Sequence, residues 1–322
     1  MDTFIGLDLG GTNIKAGVVD AKAQVIASLS VPTPGDGGPG GVIAAMIEAA
    51  RDVAKKASVS LGAVTGVGIG SPGPIDIERG MVLAMPNLPG WDHVPVRDRI
   101  AEATGCAAVL ENDANAAAFG EYWAGAGRDP SIRHLAMLTL GTGIGTGLIV
   151  DGQVIHGGFN VGGEGGHMIV DPHGPACGCG QRGCLESFAS ASHTARRAVE
   201  ALDAGEPSTL QAVRAGGAQV TSKDVFEAAR GGDALARRIA GQTAMYLAVG
   251  CVNLCRILDP QMIVFAGGMI LAGDQLFAMV RQEFQKRTWK VAEDRVRIVP
   301  AQLGNDAGFI GAAGVAWKAH CR

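Results

Sequence analysis

One histidine and three cysteines fall close together as His167, Cys177, Cys179 and Cys184, in the array H-x9-C-x-C-x4-C. Imidazole and thiolate in that number are a tetrahedral zinc inventory, and four protein ligands leave no open coordination position. Such an ion would be structural, pinning the glycine-rich segment 162–186 where little regular structure could do so. Two alternatives stay open on spacing alone: a chance cluster, or His173 as fourth ligand in place of His167. The remaining cysteines, Cys106, Cys251, Cys255 and Cys321, are scattered and read as buried or incidental thiols. Glu164 and Glu186 flank the array, so a metal there would anchor two carboxylates in one locality, suited to sugar hydroxyls; each could equally be a plain surface glutamate.

A second group of residues suits phosphate. Asp8-Leu9-Gly10-Gly11-Thr12 and Gly141-Thr142-Gly143-Ile144-Gly145-Thr146-Gly147 are glycine turns set between apolar runs. Glycine lets backbone N–H groups approach a phosphate because no Cβ intervenes. For the first turn an ordinary hairpin is the competing reading, and the second neither ends in the Gly-Lys-Ser/Thr of a Walker loop nor opens a helix as a dinucleotide fingerprint does. Asp8 could hold Mg²⁺ directly or through water, or merely cap its turn, and Thr12 could donate to a phosphate. Asp113, at the end of an apolar run, is by itself most simply a helix N-cap. Beside two phosphate turns it gains another use, accepting the proton of an attacking hydroxyl while a neighbour such as Asn112 holds it.

Elements must bring these residues to such positions. Phe4 to Leu9, Ala16 to Val19 and Val25 to Ser30 read as strands, Pro32 to Gly41 as a loop, Val42 to Ala57 as a helix and Val64 to Ile69 as a strand stopped by Ser71-Pro72-Gly73-Pro74. Val94 to Thr104 reads as a helix and Ala107 to Leu110 as a strand, which puts Asp113 at a strand-to-helix corner. Leu135 to Leu140, the second glycine turn and Leu148 to Val150 repeat the opening strand-turn-strand unit, and the repeat predicts two related lobes with a cleft. Ala189 to Ala204, Ser222 to Arg230 and the apolar Ala234 to Leu258 read as helices. Ile263 to Ala266 and Arg295 to Val299 read as strands, and Gly308 to Ala319 as the final helix. A chain of 322 residues, 47% hydrophobic and 18% charged, has the core for this. A net charge of −4 without a dense basic run argues against nucleic acid. With no uninterrupted apolar stretch of about 20 residues, no membrane span is expected, and the chain reads as cytoplasmic.

These motifs, in order along nearly the whole chain, resemble the ROK family (repressors, open reading frames, kinases), in its glucokinase-like branch of the actin and hexokinase superfamily. Besides those already quoted, the matching segments are Pro86 to Trp91, Glu111-Asn112-Asp113-Ala114-Asn115, Glu164 to His167, Cys177 to Glu186, and Gly267-Gly268. The resemblance implies an α/β, two-lobed actin-like ATPase (ribonuclease H-like) fold with an interlobe cleft and a zinc-bound loop. Residues 1–115 with about 305–322 would form the small lobe, and 116–304 the large lobe. It implies ATP-dependent phosphorylation of a hexose, glucose foremost at its 6-hydroxyl, with Asp113 as general base. Asn87, Asn112, Asp113, Glu164, His167 and Glu186 would contact the sugar. Asp8, Gly10, Gly11 and Thr12, with Gly141, Thr142 and Gly143, would face the phosphates of ATP and its Mg²⁺; Gly267 and Gly268 would lie near the adenosine. His167 would serve zinc and sugar at once, and a homodimer or higher homo-oligomer is expected. One departure is Gly165, where the family usually has an aliphatic residue, so a more mobile loop is expected there. Kinases of N-acetylmannosamine, N-acetylglucosamine, fructose or allose share the motifs. Sugar-responsive ROK regulators carry an additional amino-terminal DNA-binding module, for which the phosphate turn starting at Asp8 leaves no expected room.

Overall fold

A computed structural model describes residues 2–85, 88, 90–291 and 295–321. In chain order the elements are β1 (Thr3–Leu9), β2 (Asn13–Asp20), β3 (Val25–Pro32), α1 (Gly38–Lys56), β4 (Gly66–Ser71), β5 (Ile75–Asp76), β6 (Met81–Ala84) and β7 (Asp92–Val94). Then come α2 (Val96–Thr104), β8 (Ala108–Asn112), α3 (Asp113–Trp123), β9 (Leu135–Leu140), β10 (Ile144–Val150), β11 (Gln153–Val154), α4 (Leu185–Ala189) and α5 (Ala191–Asp203). The chain closes with α6 (Gln211–Ala215), α7 (Ser222–Arg230), α8 (Ala234–Leu258), β12 (Met262–Ala266), α9 (Asp274–Arg287), β13 (Arg297–Pro300) and α10 (Ala307–His320). Among the described residues no helix is long and apolar enough to cross a membrane.

Contacts divide the chain into two units: Met1–Ile132, Gly147–Gly163 and Gln302–Arg322 in the first, Arg133–Thr146 and Glu164–Ala301 in the second. The division leaves α3 and its following residues with the first unit, beyond the boundary at 115 drawn from sequence. The physical reason is close helix packing: Gly311 of α10 lies so near α3 that a Cβ on it would sit 1.6 Å from Ala116 O.

In the first unit β3, β2 and β1 form an antiparallel meander, and β1, β4 and β8 run parallel, in the order β3-β2-β1-β4-β8. A mixed sheet of this kind needs both faces covered. On one face Ile5, Leu7, Ile14 and Ile69 meet Val42, Met46, Val53 and Ile100 from α1 and α2. On the other, Phe4 and Val19 meet Phe309, Ile310 and Ala313 of α10. That second contact is at backbone distance, because a Cβ on Gly6 or Gly68 would fall 1.8 Å from the carbonyl oxygens of Phe309 or Ala312. The short antiparallel ribbon β5-β6-β7 lies within the stretch between β4 and α2.

In the second unit β9, β12 and β13 run parallel, with Ala266 opposite Thr139 and Phe265 opposite Pro300. The buried face of α8 packs against α4, α5, α7 and α9. Strand and helix expectations hold for most elements, and the differences have local causes. The segment read as a loop to Gly41 already turns helical at Gly38, since Pro39 in a first helical turn forfeits no bond. The helix read over Ala189 to Ala204 starts at Ala191, because the Ser190 side chain accepts from His193 N and caps α5 there, and the short helix α4 before it lies in a segment expected to hold little regular structure. The helix α9 lies where none was expected.

Candidate active site and metal centre

In the first unit the sheet register converges on one edge. Asp8 of β1 lies opposite Gly70 of β4, which lies opposite Glu111 of β8, and these three parallel strands end together. In such sheets ligands gather outside the carboxyl ends of the strands. Gly70 places no side chain between the acids; a Cβ there would stand 3.9 Å from Asp113 Cα. The turn after β1 is latched: Gly10 N–H donates to Asn13 O at 3.0 Å, Thr33 Oγ1 to Gly10 O at 2.7 Å and Thr33 N–H to Thr12 O at 2.9 Å. Gly11 and Thr12 are exposed, and a Cβ on Gly11 would meet nothing within 4 Å, so space stands open above the turn.

Asp113 is the first residue of α3, but its neighbour caps the helix. Asn112 Oδ1 accepts from Ala114 N at 2.9 Å and from Asn115 N at 3.2 Å. The capping role that could have explained Asp113 belongs to Asn112, and the Asp113 carboxylate accepts from Ala114 N at 2.8 Å and is also met by its own backbone N–H. Burial raises the Asp113 carboxyl, opposed by those N–H groups and by Asn112. Asp8 is pushed up to about 6, first by burial and then by the Asp113 carboxylate, with Lys15 opposing. Lys15 also donates through Nζ to Asn305 O. Gly308, in the first turn of α10, gives Asp8 its room, since a Cβ there would lie 2.3 Å from Asp8 Oδ2. Two carboxyls raised by burial beside an open glycine turn are a place that gains from a cation, and a single carboxylate completed by substrate phosphates is an ordinary Mg²⁺ setting.

The second unit gathers the other glycine residues. Ala191 N–H donates to Gly141 O at 2.9 Å and Ser192 Oγ donates to Thr142 O, so the start of α5 braces the turn between β9 and β10. Gly267, at φ +85°, lies against the same turn's root: a Cβ on it would be 2.6 Å from Leu140 O. Gly268 beside it is exposed with open space. Glu186 reaches into this turn from α4, its Oε2 accepting from Ile144 N at 2.9 Å. A Cβ on Gly143 would stand 2.3 Å from that oxygen, so a larger residue would have to displace the Glu186 carboxylate.

The same unit assembles the predicted metal ligands. One ligand atom each of His167, Cys177, Cys179 and Cys184 lies within 4.8 Å of all the others. Cys179 Sγ and Cys184 Sγ are 3.7 Å apart, and Cys177 Sγ and His167 Nδ1 are also 3.7 Å apart. A zinc tetrahedron with Zn–S of about 2.3 Å has sulfur-sulfur edges of about 3.8 Å. The donor set therefore suits zinc, with no pair of ligand atoms more than 4.8 Å apart. Burial, then Cys179 and Cys177, push the Cys184 thiol up to about 12, a penalty a coordinated cation would remove. His173 is exposed and outside the cluster, its N–H given to Asp171 Oδ1 at 2.9 Å, which decides between the two histidines. Glu186 Oε1 accepts from Cys177 Sγ at 3.6 Å, whereas the exposed Glu164 touches the centre through its carbonyl, which receives His167 N–H at 3.0 Å. Asn87 lies outside the described residues.

Sequence reasoning assigned no role to Thr146, Glu121 or Glu111 here. Gly165 is buried, not loose: a Cβ on it would lie 3.0 Å from Thr146 Oγ1 and 3.1 Å from its Cγ2. Thr146 thus occupies the space an aliphatic residue at 165 would use. Glu121, fully buried, takes N–H donations from Ala126, Gln302 and Leu303 at 2.7–3.1 Å and ties the returning chain to α3. Glu111 is likewise buried and lies beside the capping asparagine. An acid inside an apolar strand was the available signal for it.

Comparison with known proteins agrees with this arrangement. The "ROK family" description matches residues 4–319. A glucokinase of Halalkalibacterium halodurans is 37% identical over 96% of this chain and 93% of its own. An N-acetylmannosamine kinase of Salmonella arizonae is 32% identical over 97% of each. A solved ROK family glucokinase of Streptomyces griseus, in complex with glucose and AMPPNP, superposes with a TM-score of 0.78 at 33% identity over 98% of this chain and 99% of that one. With the glycine turns, the Asn112-Asp113 corner and the cysteine loop all in place, the chain belongs to the ROK family.

Proposed function

We propose that the chain is an ATP-dependent hexose kinase acting on glucose, with Asp113 as the general base toward the 6-hydroxyl. The observation that carries this reading is the division of labour at α3, where Asn112 caps the helix and leaves the Asp113 carboxyl available beside Asp8 and the Gly10-Gly11-Thr12 turn. Burial holds the Asp113 carboxyl above its ordinary value, which suits it to take a proton. Asp8, Gly10, Gly11 and Thr12 hold Mg²⁺ and phosphate, Gly141, Thr142 and Gly143 face phosphate, and Gly267 and Gly268 adjoin the nucleoside. Asn87, Asn112, Glu164, His167 and Glu186 hold the sugar, and structural zinc on His167, Cys177, Cys179 and Cys184 fixes the last two. When bound, Mg²⁺ would neutralise phosphate charge; the chain's own part is positioning and proton acceptance. Such chemistry suits a cytoplasmic enzyme.

The test is a coupled ADP-release assay with glucose, N-acetylmannosamine, N-acetylglucosamine, fructose and allose. Glucose should give the highest kcat/KM, and Asp113→Asn should fold and bind glucose while losing at least about a thousandfold in kcat. A higher kcat/KM for N-acetylmannosamine would transfer the assignment to that sugar, and near-normal turnover by Asp113→Asn would end the role of Asp113.

A further inference from the structure

We propose that Glu111 and His156 form a positioning couple that fixes the Asn112-Asp113 corner, an inference that rests on the kinase reading above. Glu111 is only 2% exposed, and both its carboxylate oxygens are engaged. Oε1 accepts from Asn112 N at 2.9 Å and from Asn115 Nδ2 at 3.1 Å, and Oε2 meets His156 Nε2 at 2.8 Å. Asn112 Oδ1 in turn accepts the N–H groups of Ala114 and Asn115. The bonds close a circuit through Glu111, Asn115 and Asn112, with the backbone of Asp113 inside it. A buried carboxylate holds its orientation only while its donors do, and a ring nitrogen from a distant loop is the donor that orients Oε2.

The loop that follows His156 is closed on itself, Gly162 N–H donating to His156 O at 2.8 Å. Gly162 carries no Cβ because one would lie 2.8 Å from Gly157 N and His156 O. The backbone that carries the ring is therefore held by a tight closure. Beside the couple lies a cavity of about 360 Å³ lined in part by Leu110, Phe119, Val154, Val315 and Lys318. That cavity supplies a chemical test, because a truncated His156 would open space continuous with one that can admit a small ring.

In the full chain, with glucose and Mg·ATP, His156→Ala should lower kcat by at least about tenfold while the KM for ATP stays within about twofold. His156→Gln, which keeps an N–H donor, should recover to within about threefold of the parent, and added imidazole should restore part of the lost turnover in His156→Ala. Independently of turnover, amide exchange at Ala114 and Asn115 should quicken in His156→Ala and stay slow in His156→Gln. If His156→Ala fails to fold, His156→Gln against His156→Leu carries the same comparison. The proposal is overturned if kcat per folded enzyme is within twofold of the parent in the donorless variants, or if Gln and imidazole bring back neither turnover nor amide protection. An inactive Asp113→Asn beside a fully active His156→Ala would remove the couple and leave the kinase reading standing; slow amide exchange restored by Gln in a chain that phosphorylates no sugar would do the reverse.

Discussion

Gly165 and Thr146 should behave as one packing unit, so their substitutions should fail to add. A Cβ at position 165 would press on Thr146 Oγ1 at 3.0 Å and Cγ2 at 3.1 Å, so Gly165→Ile, which adds three further carbons, overpacks a closed site. Such insertions cost about 1–3 kcal/mol. Thr146→Gly on its own removes a buried hydroxyl that has no partner among the described residues, a gain of about 1–3 kcal/mol, but it leaves a void and frees a strand residue at a comparable cost. The two effects should nearly cancel. In the double variant the isoleucine fills the space the threonine vacates, giving a favourable coupling of about 1–3 kcal/mol. Urea unfolding of the four proteins measures it directly. Because His167 lies two residues on, Gly165→Ile should also raise the glucose KM severalfold and the double variant should bring it back. Stabilities that add to within about 0.5 kcal/mol would refute the argument that Thr146 substitutes for the missing side chain.

Two further outcomes follow from the charges and thiols. Asp8 has a folded value of about 6 against an ordinary 3.8, so the unfolded chain gives up its proton first, and stability of the ligand-free protein should fall as pH rises from about 4 through 6. Asp8→Asn should flatten that slope and be more stable than the parent at pH 7.5, by on the order of 1–3 kcal/mol, while losing kinase activity; a lower stability at that pH would contradict the burial argument. Zinc should be found at one ion per chain by atomic absorption, and its removal by a chelator should lower the melting temperature and weaken glucose binding in calorimetry before nucleotide binding changes. Equal loss of both affinities would mean that the metal loop does not act through His167, Glu164 and Glu186.

What could be read in advance and what could not separates along a physical line. The helix Ala234–Leu258 is legible to the residue because Asp233 caps it and an unbroken apolar stripe fills it. The cluster of His167, Cys177, Cys179 and Cys184 is legible because few uses other than metal binding bring one histidine and three cysteines so close in sequence. The helix Asp274–Arg287 carries Leu276, Phe277, Val280 and Phe284 at helical spacing, yet two preceding glycine turns interrupt the pattern and mask its start. The ribbon β5-β6-β7 is built of strands two to four residues long, too short for alternation to register. At the site, Asp113 was suspected but its freedom from capping was not, since sequence alone does not say which of two adjacent capping residues faces the helix. The pairs Glu111 with His156 and Glu186 with Ile144 join residues more than forty positions apart, and no local spacing encodes them.

The glycine-faced contact between α10 and the first sheet sets an order on how the molecule can be made. Gly6 and Gly68 leave β1 and β4 with a bare backbone face, and what covers it, Phe309 to Ala313, follows the whole of the second unit along the chain. A ribosome building from the amino terminus completes residues 164–301 first, while the earlier sheet waits with Phe4 and Val19 uncovered. The strand bearing Asp8 is among the first parts synthesised and among the last to be sealed. The residues that close that face of the sheet, Phe309 to Ala313, are made only after the whole of the second unit.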